Sequence, residues 1–426
     1  MYYLKKMAKM NLGFLKHYEG IEFANYLPLF ILLCFSGNPL FTAMGYSKIL
    51  LVIYTMIYVF YVFSFVNYNY IKMKLQQIII VSLFIAILII YQEMLLGFVS
   101  LPGVLALILK IILGLFTLIF YRVKQIGIID TYIKIMSFLA LISLPFFVLN
   151  QFGQWGIQLE NESLKSFLFY TSYPEEIYAV SFLIRNPGMF WEPGAFAGYL
   201  LLALLFIILK NRSFTIGQYK MEVSWIILGI ITSQSTTGYL LLTTLIFVFI
   251  WNKYSWSRIV VIPLSVLFIY WVSHNIAFMG DKVENQYAQA IAMGENEVEN
   301  TRFGSLNMDM QYIISQPFTG NGLDLSTRYR FHPEVTKDIG NGNGMSNFLA
   351  CWGIPFFLFW LYCVYRYAYL FTRKRSIAFF FVIIMILILQ GEQFLNFPMF
   401  LLFYTLPSFY TNFSAVKSYN RLRNAV

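Results

Sequence analysis

Charge is what this sequence has least of. Only 12% of its 426 residues are Asp, Glu, Lys or Arg, against about a quarter in a soluble domain, and that excludes an ordinary water-soluble enzyme. Cysteine and histidine are equally scarce, with three of each. Cys34, Cys351 and Cys363 all fall inside apolar runs, where a thiol behaves as a small hydrophobe. Neither a disulfide framework nor a zinc spacing is present. The chain also has no Asp-x-Asp pair and no glycine-rich Rossmann or Walker loop, so nothing points to a nucleotide-sugar site, a catalytic metal or any other cofactor.

Apolar and aromatic residues fill the space: 59% of the chain is hydrophobic and 19% aromatic, with a mean hydropathy of +0.66. The bilayer is therefore the expected solvent. At roughly 20 residues per crossing helix, runs bounded by charge, Pro or Gly give about twelve spans. They lie near 21–37, 48–66, 75–92, 102–121, 131–150, 194–210, 223–235, 237–252, 259–275, 346–365, 377–391 and 395–413. The pattern predicts an all-α, polytopic integral membrane protein. The spans at 223–235 and 237–252 meet at Ser233-Gln-Ser-Thr-Thr-Gly238 and read equally as a helical hairpin or one broken helix. No small-residue cleavage site follows the basic start of the chain, so the first span is read as retained.

Lysine and arginine accumulate on the cytoplasmic side of membrane proteins. Starting inside, the inner segments collect twenty of the thirty basic residues, among them Lys5, Lys72, Arg122, Lys210, Lys253, Arg373 and Arg421. The net charge of +10 is thereby assigned to topology, and no nucleic-acid partner is implied. The expected layout is a cytoplasmic tail at 1–20, spans one to five over 21–150 and a first long outer loop at 151–193. Spans six to nine follow over 194–275, then a large outer loop at 276–345, spans ten to twelve over 346–413 and a basic cytoplasmic tail at 414–426.

Polar chemistry that survives against such a background marks function. Arg185-Asn-Pro-Gly-Met-Phe-Trp-Glu192-Pro193 closes the first outer loop. Proline suits the first turn of a helix, which sets Glu192 at a helix N-terminus, with Arg185 across a Pro-Gly turn and close enough to fold back. Read structurally, the same residues are an interfacial anchor of Trp191 plus an Arg–Glu pair. In the second loop, Phe303, Leu306, Met310, Ile313 and Ile314 recur at helical spacing. They predict an amphipathic helix lying on the outer leaflet, with Arg302 in its first turn. Pro317 stops it and Gly320-Asn-Gly322 makes a turn. Arg328, Arg330 and His332 follow, and then a Gly-Asn run leads to Asn347. His17 and His274 read as structural. Lys110, in the middle of the fourth span, is costly there and faces either a groove for protein or lipid phosphate, or the interface.

Taken together, Arg185…Gly188-Met-Phe-Trp-Glu192-Pro193, the Ser233–Gly238 corner, Arg302 followed by Ile-Ile-Ser-Gln-Pro317-Phe-Thr-Gly320-Asn-Gly322, and Asn343-Gly-Met-Ser-Asn347…Trp352-Gly-Ile resemble the O-antigen polymerase and ligase superfamily. The likeness spans roughly residues 180–400. It implies an inverting, metal-independent glycosyltransferase of the bacterial inner membrane, with both termini cytoplasmic and its long loops periplasmic. A polymerase of this kind would take undecaprenyl-diphosphate-linked oligosaccharides as donor and acceptor. Membrane lipid and a chain-length regulator protein would be its other partners. The ligase, which hands the glycan to lipid A-core, is the nearest alternative, and Ser346-Asn347 in place of the family's His-Asn pair counts against it. A flippase for the same lipids is the non-enzyme alternative.

The resemblance maps functional arginines onto Arg185 and Arg302, with Arg328 and Arg330 as further diphosphate contacts. Guanidinium forks bind diphosphate bidentately. An acceptor hydroxyl still needs a proton acceptor, for which Glu192 and His332 are the candidates; Glu192 otherwise orients the sugar. Tyr329 and Trp352 are candidate sugar platforms, and Glu392 and Asn347 candidate sugar contacts.

Overall fold

The computed structural model describes residues 23–64, 83, 85–92, 94–97, 101–159, 164–174, 179–180, 183–253, 302–331 and 343–409. These residues are mostly helical, and four helices among them are long and apolar enough to cross a membrane: Leu105–Val123, Ile128–Asn150, Pro193–Asn211 and Ile354–Thr372. Apolar side chains such as Ile57, Phe60 and Phe379 are exposed on the helix surfaces, where hydrocarbon rather than water is a tolerable neighbour. The architecture is that of a membrane-embedded protein. Both tails, the expected span at 259–275, most of the second outer loop and His332 lie outside the described residues.

The principal helices are α1 (Leu27–Cys34), α2 (Ser47–Phe63), α3 (Leu101–Val123), α4 (Ile128–Asn150), α5 (Pro193–Asn211), α6 (Lys220–Ser233), α7 (Thr236–Lys253), α8 (Arg302–Ser315), α9 (Gly344–Trp352), α10 (Ile354–Thr372) and α11 (Arg375–Gly391). Helix α5 is apolar all round and is the hub. From Ala195 to Leu209 every side chain except that of Gly198, which has none, is buried, and α4, α6, α7, α10 and α11 pack about it. A helix without a polar face must be surrounded. Pro193 starts it, with Glu192 extended before it, and Arg212 ends it in the left-handed conformation at φ +51°.

At one end of this bundle Asp130 of α4 holds Lys210 of α5 in an ion pair and accepts the Tyr219 hydroxyl. At the other end stand the start of α5, the α6–α7 junction and the end of α11. The junction is resolved: α6 and α7 are separate helices, with Gln234 at φ +50° between them. Gly238 lets α7 rest on α5, since a Cβ there would lie 2.9 Å from the Ala197 methyl.

Three expectations need correction. The span at 346–365 is two helices, broken at Gly353, whose φ of +80° favours glycine. A Cβ there would stand 2.5 Å from the Phe318 carbonyl oxygen, and Pro355 follows. The described part of the expected last span is a run of short helical pieces from Phe394 to Tyr404 interrupted by Pro398. That irregularity is tolerable because Phe394 to Leu406 is mostly buried in protein. The described part of the first span is a 3-10 turn at Phe23–Asn25 and the eight-residue α1, after which Asn38 caps a short turn at Pro39. Within 151–193, given by the sequence as a long outer loop, the described residues include short strands. Strands β1 (Ile157–Gln158), β2 (Lys165–Phe167) and β3 (Tyr170–Ser172) form an antiparallel sheet, and β4 (Ala179–Val180) pairs with β5 (Leu183–Ile184). Short strands of this kind satisfy the backbone groups of a loop pressed against a bundle.

The amphipathic helix at 302–315 is present as α8. Its buried face is Ser305, Asp309, Tyr312 and Ile313 against α9, while the apolar side chains of Met310 and Ile314 stay exposed.

Candidate functional site

The side-chain amide of Asn186 anchors the loop before α5. Asn186 is fully buried, and its Nδ2 donates to Ser143 Oγ of α4 at 3.0 Å and Thr232 Oγ1 of α6 at 2.9 Å. Its Oδ1 accepts the Gly188 N–H at 2.9 Å, across a turn that glycine makes at φ +54°. This anchor seats Trp191 on the Phe397 ring, with centroids 4.6 Å apart, and delivers Glu192 to the start of α5. Replacing Asn186 by Ala orphans the Gly188 N–H and takes a donor from the Ser143 and Thr232 hydroxyls, which keep their own bonds to main-chain carbonyls. The expected loss is about 2–4 kcal/mol of stability, read as a lowered melting temperature of the purified protein; an unchanged melt would refute the anchoring role.

The Glu192 carboxylate makes no capping bond to its own helix. It meets Glu392, which follows the last residue of α11. A Cβ on Gly194 would stand 2.6 Å from Glu392 Oε1 and 2.8 Å from Glu192 Oε1, so the two carboxylates flank the one residue small enough to leave them room. Two other helices begin here. A Cβ on Gly344, at the start of α9, would fall 1.9 Å from the Glu392 carbonyl oxygen, and one on Gly391 would touch Thr237 at the start of α7. Helix N-termini carry partial positive charge, which favours Glu192 at the start of α5, whereas Glu392 follows the C-terminal end of α11, where the helix dipole does not favour an acid. Both carboxylates are half-buried.

Arg185 lies at the same corner but does not fold back on Glu192. Its Nε donates to the Ser233 carbonyl at 3.3 Å, satisfying an orphan acceptor at the end of α6. Among the described residues no ion pair joins it to Glu192.

Arg328 has a different fate from the one the sequence suggests. It is 2% exposed and paired with Asp309, itself fully buried. Its Nε donates to Asn347 Oδ1 at 3.1 Å, and the rings of Tyr312 and Tyr329 flank its guanidinium at 4.8 and 4.6 Å. Ser346 Oγ donates to the other Asp309 oxygen. Burial works against the guanidinium charge, but Cys351, Asp309 and Tyr329 outweigh it and hold the pKa above the ordinary arginine value. A cation already neutralised inside the protein is not a diphosphate clamp, so Arg328 is a structural element. Arg330 is half-buried, donating to Ser315 Oγ at 3.3 Å and lying over Phe331. Arg302 opens α8, and nothing of its side chain is described.

The aromatic candidates are packing residues. Trp352 is 1% exposed and stacks on Phe356 at 4.9 Å, and Tyr329 is buried beneath Arg328. Asn347, held by Arg328, lines a narrow crevice with Gly344, Cys351, Asn396 and Gln393, the residue that follows Glu392 in the chain.

Asp309, Asn186 and Asn321 escaped the sequence reading. Asn321 plugs the end of α9: its Nδ2 donates to the Ala350 and Tyr312 carbonyls at 3.0 and 2.9 Å, and its N–H to Ala350 at 2.8 Å. The signal for Asp309 was its isolation as the one acid in α8, four residues from Ser305 on the buried face. Among the described residues no three His, Cys, Asp or Glu side chains gather to hold a metal. In comparisons with known proteins, no family model, no curated protein and no solved structure matches this chain.

Proposed function

We propose that this chain is a glycosyltransferase that polymerises lipid-diphosphate-linked oligosaccharide repeat units of a surface polysaccharide such as O-antigen or capsule. It works in the bacterial inner membrane, crossing it about twelve times, with both termini in the cytoplasm and the Glu192 end of the bundle facing the periplasm. One observation carries the reading: Glu192, Gly194, the Ser233–Thr237 corner, Gly344 and Glu392, which belong to segments spread over two hundred residues of chain, meet at one end of the bundle around two adjacent carboxylates.

The chemistry needs little more. An acceptor hydroxyl attacks the anomeric carbon of the donor glycan, the bond from that carbon to the diphosphate oxygen breaks, and the lipid diphosphate departs with the electron pair. Glu192 takes the hydroxyl proton, and its half-buried position beside a second carboxylate suits it to bind a polyhydroxyl acceptor. Arg185, at the same corner, answers charge on the leaving group.

The experiment is extension of a synthetic lipid-linked repeat by purified protein. A ladder of longer products is expected from the wild type, whereas Arg185→Ala should insert normally and lose long products by at least about a hundredfold. A wild-type ladder from that variant would remove Arg185 from the mechanism. Transfer only to a lipid A-core acceptor would make the protein a ligase, and lipid translocation without transfer would make it a flippase.

A further inference from the structure

Helix α8 is inside out for a helix in water. Ser305 and Asp309 are buried against α9, whereas Met310 is 44% and Ile314 71% exposed. The helical spacing continues past Ser315, because the Gln316 N–H bonds to the Tyr312 carbonyl at 3.1 Å and the Gly320 N–H to the Gln316 carbonyl at 2.9 Å. This turn carries Phe318, 77% exposed, four residues beyond Ile314. Phe331, also exposed, is fastened to the same helix: its ring stacks on that of Tyr312 at 5.1 Å, and its N–H donates to the Tyr312 hydroxyl at 3.1 Å. Asn307 and Gln311, exposed as well, border these side chains. A helix facing water turns its polar side outward, so water is not what this face fits.

The face runs on into a lipid-facing surface already present. The turn after α8 is sewn to the α9–α10 junction: Ile354 N–H donates to the Pro317 carbonyl at 2.8 Å, Asn321 N–H to Ala350 at 2.8 Å and Gly322 N–H to Cys351 at 3.1 Å. Phe318 therefore stands beside the first turn of α10, a helix long and apolar enough to cross a membrane. On α10 the exposed side chains Ile354, Leu358 and Tyr362 follow one another at four-residue spacing. At about 1.5 Å per residue its 19 residues span about 28 Å, close to the roughly 30 Å of a bilayer's hydrocarbon core, so Phe318 and Ile314 lie at its boundary. That boundary is at the Glu192 end of the bundle, because α11, joined to α10 through Arg373 and Lys374, runs back to Glu392. Helix α4 finishes at the same end with Phe152 and Trp155 exposed, the aromatic signature of a membrane interface. Arg330, lying over the Phe331 ring at 4.6 Å, adds a cation at the edge of the patch, where headgroup phosphates sit.

We propose that Met310, Ile314, Phe318 and Phe331 form a lipid-docking face that seats α8 at the bilayer boundary, with these side chains among the acyl chains about 5–10 Å into the leaflet at the Glu192 end of the bundle. The bilayer then holds α8 from outside as α9 holds it from inside. The Asp309–Arg328 pair, bonded to Asn347 of α9, lies on the protected side.

The test uses the full-length protein in vesicles of phosphatidylcholine and phosphatidylglycerol, carrying Ile314→Cys or Phe318→Cys labelled with an environment-sensitive fluorophore. Labelled Asn307→Cys is the border control, and labelled wild type corrects for the three buried native cysteines. A nitroxide high on the lipid acyl chain should quench the Ile314 and Phe318 probes at least about threefold more than aqueous iodide does, and the Asn307 probe less than iodide does. Stronger quenching by iodide at Ile314 and Phe318 places the face in water and overturns the proposal. Quenching by neither shows the face covered by protein, from this chain or a second copy, and overturns it too. Lipid quenching as strong at Asn307 as at Ile314 does the same, since the probe and not the side of the helix would then choose lipid. Where either variant fails to fold, Met310→Cys and Phe331→Cys on the same face give the reading instead. No glycan enters the measurement, so this face and the polymerase reading stand or fall separately.

Discussion

Asp309→Ala is expected to destabilise the folded protein by about 3–5 kcal/mol, the usual consequence of removing one member of a buried ion pair. The change leaves the Arg328 guanidinium 2% exposed with no counter-charge, takes the acceptor from Ser346 Oγ and loosens the hold on Asn347. Arg328→Ala should cost a similar amount. Arg328→Met combined with Asp309→Leu should cost clearly less than the sum of the single changes, because neither variant charge is then buried alone. The sign of the pH dependence follows from the raised folded pKa of Arg328. A cation so shifted contributes its full stability below its ordinary pKa and loses it only as the pH climbs past the folded one, so Arg328 adds no pH dependence near neutrality. Thermal or denaturant unfolding of the four proteins decides the matter. Single variants within about 1 kcal/mol of wild type, the range of an exposed pair, would show that the pair is not a buried keystone.

Glu192→Gln is expected to lower chain extension by about two to four powers of ten while leaving the fold intact. The fold should tolerate the amide because the carboxylate caps nothing: α5 is started by Pro193 and by the Glu192 carbonyl, which accepts the Phe196 N–H at 3.1 Å. Glu392→Gln should reduce extension less, by about one power of ten, since a neighbour that shapes the charge of a site contributes less than the group that takes the proton. Gly194→Ala should resemble Glu192→Gln in activity, because the new methyl falls between both carboxylates. The rate of extension of a synthetic lipid-linked repeat reads all three. A Glu192→Gln enzyme that keeps more than about a tenth of the wild-type rate would exclude Glu192 as the base.

These effects divide between what a chain-local reading reaches and what it does not. The segment before Pro193 was legible as a helix start because proline's fixed φ and its missing N–H act on one residue's own backbone. The helix at 302–315 was legible because its period is a property of consecutive residues. The break at Gly353 was not, although a Gly-Ile-Pro sequence marks it. The apolar run continues across it, and what settles the bend is the Phe318 carbonyl pressing on the glycine from another part of the chain. Arg328 looked like an outer-loop cation because its acid lies nineteen residues earlier on a different helix. Trp352 looked like a sugar platform because an indole's burial depends on what packs over it, here Phe348 and Phe356.

Composition and hydropathy alone determined that this protein belongs in a bilayer and is built from helices, since the transfer of apolar side chains and the pairing of backbone groups in hydrocarbon depend on residue type more than on partners. Which polar groups meet was decided only by the tertiary structure. Glu192 and Glu392 stand two hundred residues apart in the chain and become neighbours because α5 and α11 pack with Gly194 between them. Arg328 is neutralised because Asp309 reaches it, whereas Lys110, reached by no described carboxylate, donates to the Asn396 main-chain carbonyl. A charge in a medium of low dielectric takes its meaning from the few ångströms around it, and those are set by packing.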